Sequence, residues 1–350
     1  MSKDRVSSFR QYAAQQALLR ERLYRILATL HPLLRSDVQQ ALEDKGKLLF
    51  QSDGTISLTL PTGNWALLPL LIARYVNPFI DDEVVSSVGV AIECFVCALD
   101  LLDDVEDEDQ TPIVQKLGVA RTLNVSTTLL MLAHQALLSL APQHISSDRV
   151  LHLVQTLQSS ALQATAGQHR DLLAEQTSAK AMTDEECIEI AAGKAGAIMR
   201  LACVIGALVA LANDTLCTQF SEMGELLGIA HQLDNDSHDL YDLLQGQTST
   251  EDAVGETVYS GTVTRSVKSD LTRGKKTLPV VLAARSEHLI RENSAEADIY
   301  SEEYKTALRE GIITTWGISL LYRERAHDCF QKIEAQKPIA LPLRMLLGFD

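Results

Sequence analysis

The sequence is short of positive charge. Its 31 lysines and arginines face 46 aspartates and glutamates, leaving a formal net charge of −15 and a pI near 5.0. That balance argues against nucleic acid or an anionic membrane surface as partner. Cysteines are few and scattered, at Cys94, Cys97, Cys187, Cys203, Cys217 and Cys329. Cys94 and Cys97 make a C-x-x-C pair, but no second pair or histidine pair completes a zinc set. They read as small core residues of a reduced, cytoplasmic protein. No uninterrupted apolar run reaches the ~18–20 residues of a membrane span, so no integral membrane segment is expected. Met1-Ser-Lys-Asp-Arg5 lacks the apolar core of a signal peptide. Strand patterns are scarce, and neither a composition break nor an internal repeat divides the chain.

What is present is helical periodicity. Phe9, Tyr12, Leu19, Leu23, Ile26, Leu27 and Leu30 recur at helical spacing up to the break at His31-Pro32. Further helices are expected over 63–76, 82–105, 119–140, 147–176, 184–212, 217–244, 277–285, 302–311 and 318–335. Residues 48–60 alternate weakly, which fits a short strand or hairpin around Asp53-Gly54. Residues 245–268 are polar and rich in Thr, Ser and Gly, a mobile loop of the length that is usually functional or disordered. With 46% apolar residues the chain can bury a substantial core. The expectation is one all-α domain over residues 1–350, opened by an N-terminal helical segment of residues 1–62.

Two acidic clusters stand out from this pattern. Asp100-Leu-Leu-Asp-Asp-Val-Glu-Asp-Glu-Asp109 follows an apolar run broken only by Glu93. Asp103, Asp104 and Asp107 have i, i+1, i+4 spacing, which stacks two carboxylates about 5–6 Å apart on one helix face. Read alone, such a run is a solvated helix end. But Asn235, Asp236 and Asp239 repeat the spacing after a second apolar run, with Gln232 one turn earlier. Two such clusters on separate helices can face each other across a cavity. Oxygen-only ligands of this kind suit Mg²⁺, which also binds substrate phosphates.

The residues around these clusters resemble the trans-isoprenyl diphosphate synthase (polyprenyl synthetase) family from about Gly63 to Pro279. Asp103-Asp-Val-Glu-Asp107 is similar to its first aspartate-rich motif, and Glu93 to a Glu ten residues upstream. Gly167-Gln-His-Arg-Asp171 resembles its Gly-Gln-x-x-Asp segment, and Gly193-Lys-Ala-Gly-Ala197 its Lys-Thr-Ala/Gly segment with Ala195 for the Thr. Gln232 to Asp239 resembles the second aspartate-rich motif, with Asn235 for its first Asp. Gly274-Lys-Lys-Thr-Leu-Pro279 resembles the Gly-Lys-x-Thr-x-Pro signature. The resemblance implies a helical bundle of the isoprenoid synthase type with a central cavity, and a homodimer. It implies Mg²⁺ held by Asp103, Asp107, Asp236, Asp239 and Asn235, with Lys194 and Lys275 adding positive charge. Asp104 and Gln232 would act in hydrogen bonds behind the metal. Gln168 and Asp171 divide between a diphosphate-side network and helix packing, and His231 and His238 are read as structural. The prenyl tail would run along Leu99, Ala98 and Phe95, a depth suited to a fifteen-carbon donor.

The departures concern the second substrate. Where the family binds the diphosphate of isopentenyl diphosphate with Lys, Arg and Arg, the aligned Gly63 to Pro69 carries Trp65, Ala66 and Leu68; a family His aligns with Val96, and Asp109-Gln-Thr-Pro-Ile113 stands where an Arg-Arg pair is usual. A diphosphate without Lys or Arg is poorly held. The function implied is therefore ionisation of an allylic prenyl diphosphate and transfer to another acceptor. The strings 103–109, 167–171 and 183–187 resemble the competence-pheromone prenyltransferase branch, which modifies a peptide tryptophan. A terpene synthase on this scaffold, and a non-catalytic subunit of a prenyl synthase, stay open as alternatives; the retained acids count against the last.

Overall fold

The computed structural model of the chain describes residues 3–47, 65–141, 145–245, 274–286 and 301–349. The order is α1 (Lys3–Leu27), α2 (Pro32–Asp44), α3 (Leu67–Val76), α4 (Asp82–Glu106), α5 (Pro112–Leu117), α6 (Val119–Leu138) and α7 (Ser147–Ala174). Then come α8 (Asp184–Ala191), a π-helical turn (Ala192–Gly196), α9 (Ala197–Val209), α10 (Asp214–Leu244), α11 (Leu278–Ala284), α12 (Glu302–Glu334) and α13 (Leu341–Leu347). The fold is all-α, with no strand among the described residues. The expected hairpin at 48–60 and nearly all of the expected loop at 245–268 lie outside the described residues.

α4 is the axis of the bundle. Val84 to Ala98 is apolar nearly all round, the pattern of a helix buried on every side, and α1, α3, α6 and α9 surround it. Asp81 caps it, its carboxylate accepting from the Glu83 N–H at 2.7 Å, and Asp82 and Glu83 follow in the first turn, where the helix dipole favours acids. Phe95, Leu67, Leu70 and Ile92 are fully enclosed in this core. Burial of each such side chain contributes roughly 1.5–3 kcal/mol. By length and composition α4 and the α8–α9 stretch are apolar enough to cross a membrane, but 89% of the apolar window of α4 is buried inside the protein, as in a core helix.

Beyond the short helices α5 and α13, which the periodicity does not reveal, two differences from the sequence expectation have a cause in packing. Residues 302–335 were expected as two helices separated around Gly311 to Gly317; they form the single helix α12. Gly311 lies against α11, where a Cβ would stand 2.4 Å from the Pro279 carbonyl oxygen. Tertiary packing thus selects glycine there, and overrides its poor helix propensity. The expected helix over 184–212 is interrupted by the π-turn. α8 starts at a capping box, Thr183 Oγ1 accepting from the Glu186 N–H and the Glu186 carboxylate from the Thr183 N–H. Eight residues later the backbone widens into the π-turn, a form concentrated at functional positions.

The widening lets three helices approach closely. A Cβ at Gly167 of α7 would stand 2.5 Å from the Gly193 backbone carbon, and one at Gly228 of α10 would stand 2.4 Å from the Ala195 carbonyl oxygen. The obstacles are backbone atoms, so they cannot turn aside. Gly167→Ala should therefore push α7 from the π-turn, lower stability by about 1–3 kcal/mol, and displace Lys194. Thermal unfolding measures it; a variant as stable as the parent would show that the approach is not tight.

Candidate active site

The end of α4 carries two stacked acid pairs, each met by lysines from elsewhere. Asp103 and Asp107 form the first pair. Lys194, on the π-turn, places its Nζ 2.6 Å from Asp171 of α7 and 3.3 Å from Asp103, so one ammonium joins three elements. Lys275, just before α11, donates to Asp107. Asp100 and Asp104 form the second pair. Lys47 lies 2.6 Å from Asp100, and Lys45 donates to Asp104, which also accepts from the Thr111 hydroxyl at 3.0 Å.

α10 borders a cleft that Lys194 and Lys275 also line; Asp103 and Asp107 reach it through these lysines and are not themselves among its lining residues. Gln232, Asp236, Asp239 and Leu240 border this cleft, completed by Asp171, Cys187, Lys194, Lys275 and Lys276, with about 710 Å³ of empty space open to solvent. Gln232 donates to Asp236 at 2.9 Å. Asn235 stands beside this face, its amide nitrogen 3.3 Å from His231 Nε2, and is not among the residues lining the cleft. Asp234 pairs with Arg323 at 2.5 Å, tying α10 to α12.

Burial dominates the electrostatics here. It pushes Asp236 up to about 7, against the Gln232 hydrogen bond that favours the ionised form. Asp107 is raised by burial and by neighbouring Asp103, with Lys275 pulling the other way. Burial raises Glu106 as well, with Gln168 beside it opposing. Lys194 shows the reverse balance: burial disfavours its charge, but Asp103 and Asp171 outweigh it and raise the ammonium above its usual range. Cys187 is pushed up to about 12 by burial, then by Asp184 and Asp236, and stays a thiol.

The structure brings together Asp103, Asp107, Asp171, Lys194, Gln232, Asp236, Asp239 and Lys275 from five separated segments. Asp104 it turns towards α2, onto Lys45. Phe95 and Ala98 are enclosed in the core and Leu99 packs against it; the cleft lining contains none of the three. Trp65 packs against the same core, and Ala66 and Leu68 are buried in it. Glu93, fully buried, accepts from the Ala66 N–H at 3.2 Å. The sequence reading missed Lys45 and Lys47, and so found no cation on the α2 side of α4. Asp44-Lys-Gly-Lys47 directly after an amphipathic helix was the available signal, with Gly46 at φ 58° allowing the turn.

Among the described residues no three carboxylate, imidazole or thiol groups are gathered closely enough to enclose a metal ion by themselves. The donor set still fits Mg²⁺, which commonly takes one or two carboxylates and completes its shell with water and substrate phosphates. Asp107 Oδ1 is buried without a hydrogen-bond partner, and Asp236 is an oxygen donor whose negative charge its burial disfavours. Both acids would gain from a cation. The sign of the pH dependence follows. Without metal, the native protein holds the Asp236 proton above pH 3.8 and up to about 7, while the unfolded chain has lost it. Stability in chelator should therefore fall as pH rises through that window and level off above it. Melting temperatures at about pH 5 and about pH 7.5 measure this, and Asp236→Asn should flatten the difference. An unchanged slope in that variant would assign it to other groups.

The polyprenyl synthetase family model matches residues 66–310. A tryptophan prenyltransferase ComQ from Bacillus spizizenii is 35% identical over 150 residues, 43% of this chain and 49% of that protein. A geranylgeranyl diphosphate synthase from Mycobacterium tuberculosis is 30% identical over 191 residues, 53% of this chain and 48% of that one. The chain thus spans about half the length of these curated relatives. Among solved structures, a polyprenyl synthetase from Streptomyces coelicolor superposes with TM-score 0.66 at 21% identity, over 96% of this chain and 97% of that one. A geranylgeranyl pyrophosphate synthetase from the archaeon Geoglobus acetivorans superposes with TM-score 0.71 at 18% identity, over 100% and 99%. With its family match covering well over half of its length and its helices arranged as in these enzymes, the chain belongs to the polyprenyl synthetase family.

Proposed function

We propose that the protein is a Mg²⁺-dependent prenyltransferase that ionises an allylic prenyl diphosphate and passes the prenyl group to an acceptor other than isopentenyl diphosphate, a tryptophan of a peptide. One observation carries the reading. Acids and lysines converge at the cleft, whereas Trp65, Ala66 and Leu68 belong to the apolar interior. The similarity to tryptophan prenyltransferase ComQ supports the choice of acceptor.

Asp103 and Asp107, which contact the cleft lysines Lys194 and Lys275, and Asp236 and Asp239 of α10 would hold the metal. Its chemistry is neutralisation of the leaving diphosphate. Lys194 and Lys275, now paired with Asp103, Asp171 and Asp107, would be drawn to the phosphate oxygens as the acids turn to the metal. Charge developing on those oxygens is then met by ammonium groups already in place. Leu240, Leu278 and Val280 line the apolar part of the cleft and limit access of water to the allylic cation.

The test combines donor, metal and acceptor. Farnesyl diphosphate, Mg²⁺ and a tryptophan-containing peptide should give prenylated peptide, seen by mass spectrometry. Farnesyl plus isopentenyl diphosphate should give no twenty-carbon product. Asp103→Asn and Asp236→Asn should each lower turnover by about 10²–10³-fold without loss of fold. Full activity in excess chelator would end the Mg²⁺ reading. Hydrocarbon released from farnesyl diphosphate alone would make the protein a terpene synthase instead.

A further inference from the structure

The four lysines at the end of α4 are not equivalent. Lys194 and Lys275 contact Asp103 and Asp107, the acids that would turn to a metal, so these ammonium groups become available when substrate arrives. Lys45 and Lys47 contact Asp104 and Asp100, which have no place in that metal set. Lys47 is almost completely enclosed, with a side chain 5% exposed and its Nζ 2.6 Å from Asp100 Oδ2. Burial disfavours its charge, but the Asp100 carboxylate beside it favours the ammonium, with Glu93 adding to that. Lys45, with a side chain 9% exposed, is held by Asp104, itself fixed by Thr111.

From this we infer that Asp100 is a specificity-determining residue: its ion pair with Lys47 withholds from a second, non-allylic diphosphate a cation that could otherwise bind it. The inference rests on the proposed function, since it explains how that function excludes isopentenyl diphosphate. It also alters the explanation. The α2 side of α4 does not lack cations; among the described residues it has two, Lys45 and Lys47, each paired with an acid of α4. A carboxylate at Asp100 competes with a diphosphate for Lys47 at effectively intramolecular concentration, and an uncharged acceptor such as an indole is unaffected by that competition.

The pair can be opened without leaving a large cavity. Asp100 is the exposed partner, its side chain 40% accessible, so Asp100→Asn removes the charge and keeps the shape. Isothermal titration calorimetry with isopentenyl diphosphate in the presence of Mg²⁺ reads the result. The parent should bind weakly, with a Kd above about 1 mM. Asp100→Asn should bind about 10- to 100-fold more tightly, the gain expected of one charge-assisted hydrogen bond to phosphate. The gain should vanish in Asp100→Asn/Lys47→Gln. Lys47→Gln alone should leave the weak binding of the parent unchanged, because that lysine is already engaged. No gain in folded Asp100→Asn, a gain that survives in the double variant, or a loss of binding in Lys47→Gln would each overturn the inference; the last decides even if Asp100→Asn does not fold. Elongation of farnesyl diphosphate by the parent would instead sink the proposed function, and is measured separately.

Discussion

Carboxylates crowded at the end of a buried helix repel one another, and the fold around α4 is arranged to answer that repulsion. Asp100, Asp103 and Asp104 occupy its last turns and Asp107 its C-cap, at the end of a helix whose middle is packed mainly against apolar side chains. An acid in that setting must be protonated or paired. Lysines reach it from α2, from the π-turn and from the segment before α11, and each joins a distant part of the chain to the same few ångströms. Losing one partner of such a buried pair costs about 3–5 kcal/mol, because the other charge is left behind. The pairs therefore fix where α2, the π-turn and α11 sit, more than they add net stability.

Seen this way, the π-turn is the consequence of placing Lys194. A regular helix from Asp184 to Val209 would carry the backbone of residues 192–196 along a narrower path. The wider turn allows Gly193 to touch Gly167 and Ala195 to touch Gly228, so the lysine enters between α7 and α10. From there its ammonium reaches Asp171 and Asp103 together. Small residues at 167, 193 and 228 and a long cation at 194 are one arrangement: close backbones with a single extended side chain threaded past them.

Much of this was legible in the sequence because it is local. The i, i+4 spacing of Asp103 and Asp107, the apolar run of α4 and the repeat of the acidic pattern at 235–239 are features of single helices. The all-α class follows from the same periodicity. What could not be read were contacts between separated segments. Lys45 meets Asp104 across 59 residues and Lys47 meets Asp100 across 53, and the Lys-Gly-Lys after α2 is a local signal that does not name those distant partners. The continuity of α12 through Gly311 was hidden for the same reason: the Pro279 carbonyl that favours glycine belongs to another helix. Asn235 illustrates a third case. Its spacing groups it with Asp236 and Asp239, whereas its amide lies against His231, a distinction one turn of helix cannot reveal.

Burial of Asp236 also has a chemical consequence. Burial raises this acid to about 7, so its charge is disfavoured until a cation stands beside it, and on the proposed function that cation would be a divalent ion arriving with a diphosphate. The free energy that disfavours its charge would be recovered if a cation supplied the missing field, and such binding would be linked to release of a proton. If the proposed function holds, the cleft would discriminate by charge balance: a bare cation would compete with the proton on Asp236 and the ammonium groups on Asp103 and Asp107, whereas a cation bearing a diphosphate would give those lysines another anionic partner. On the proposed function, cooperative entry of metal and substrate would follow from where the four acids and their lysines stand.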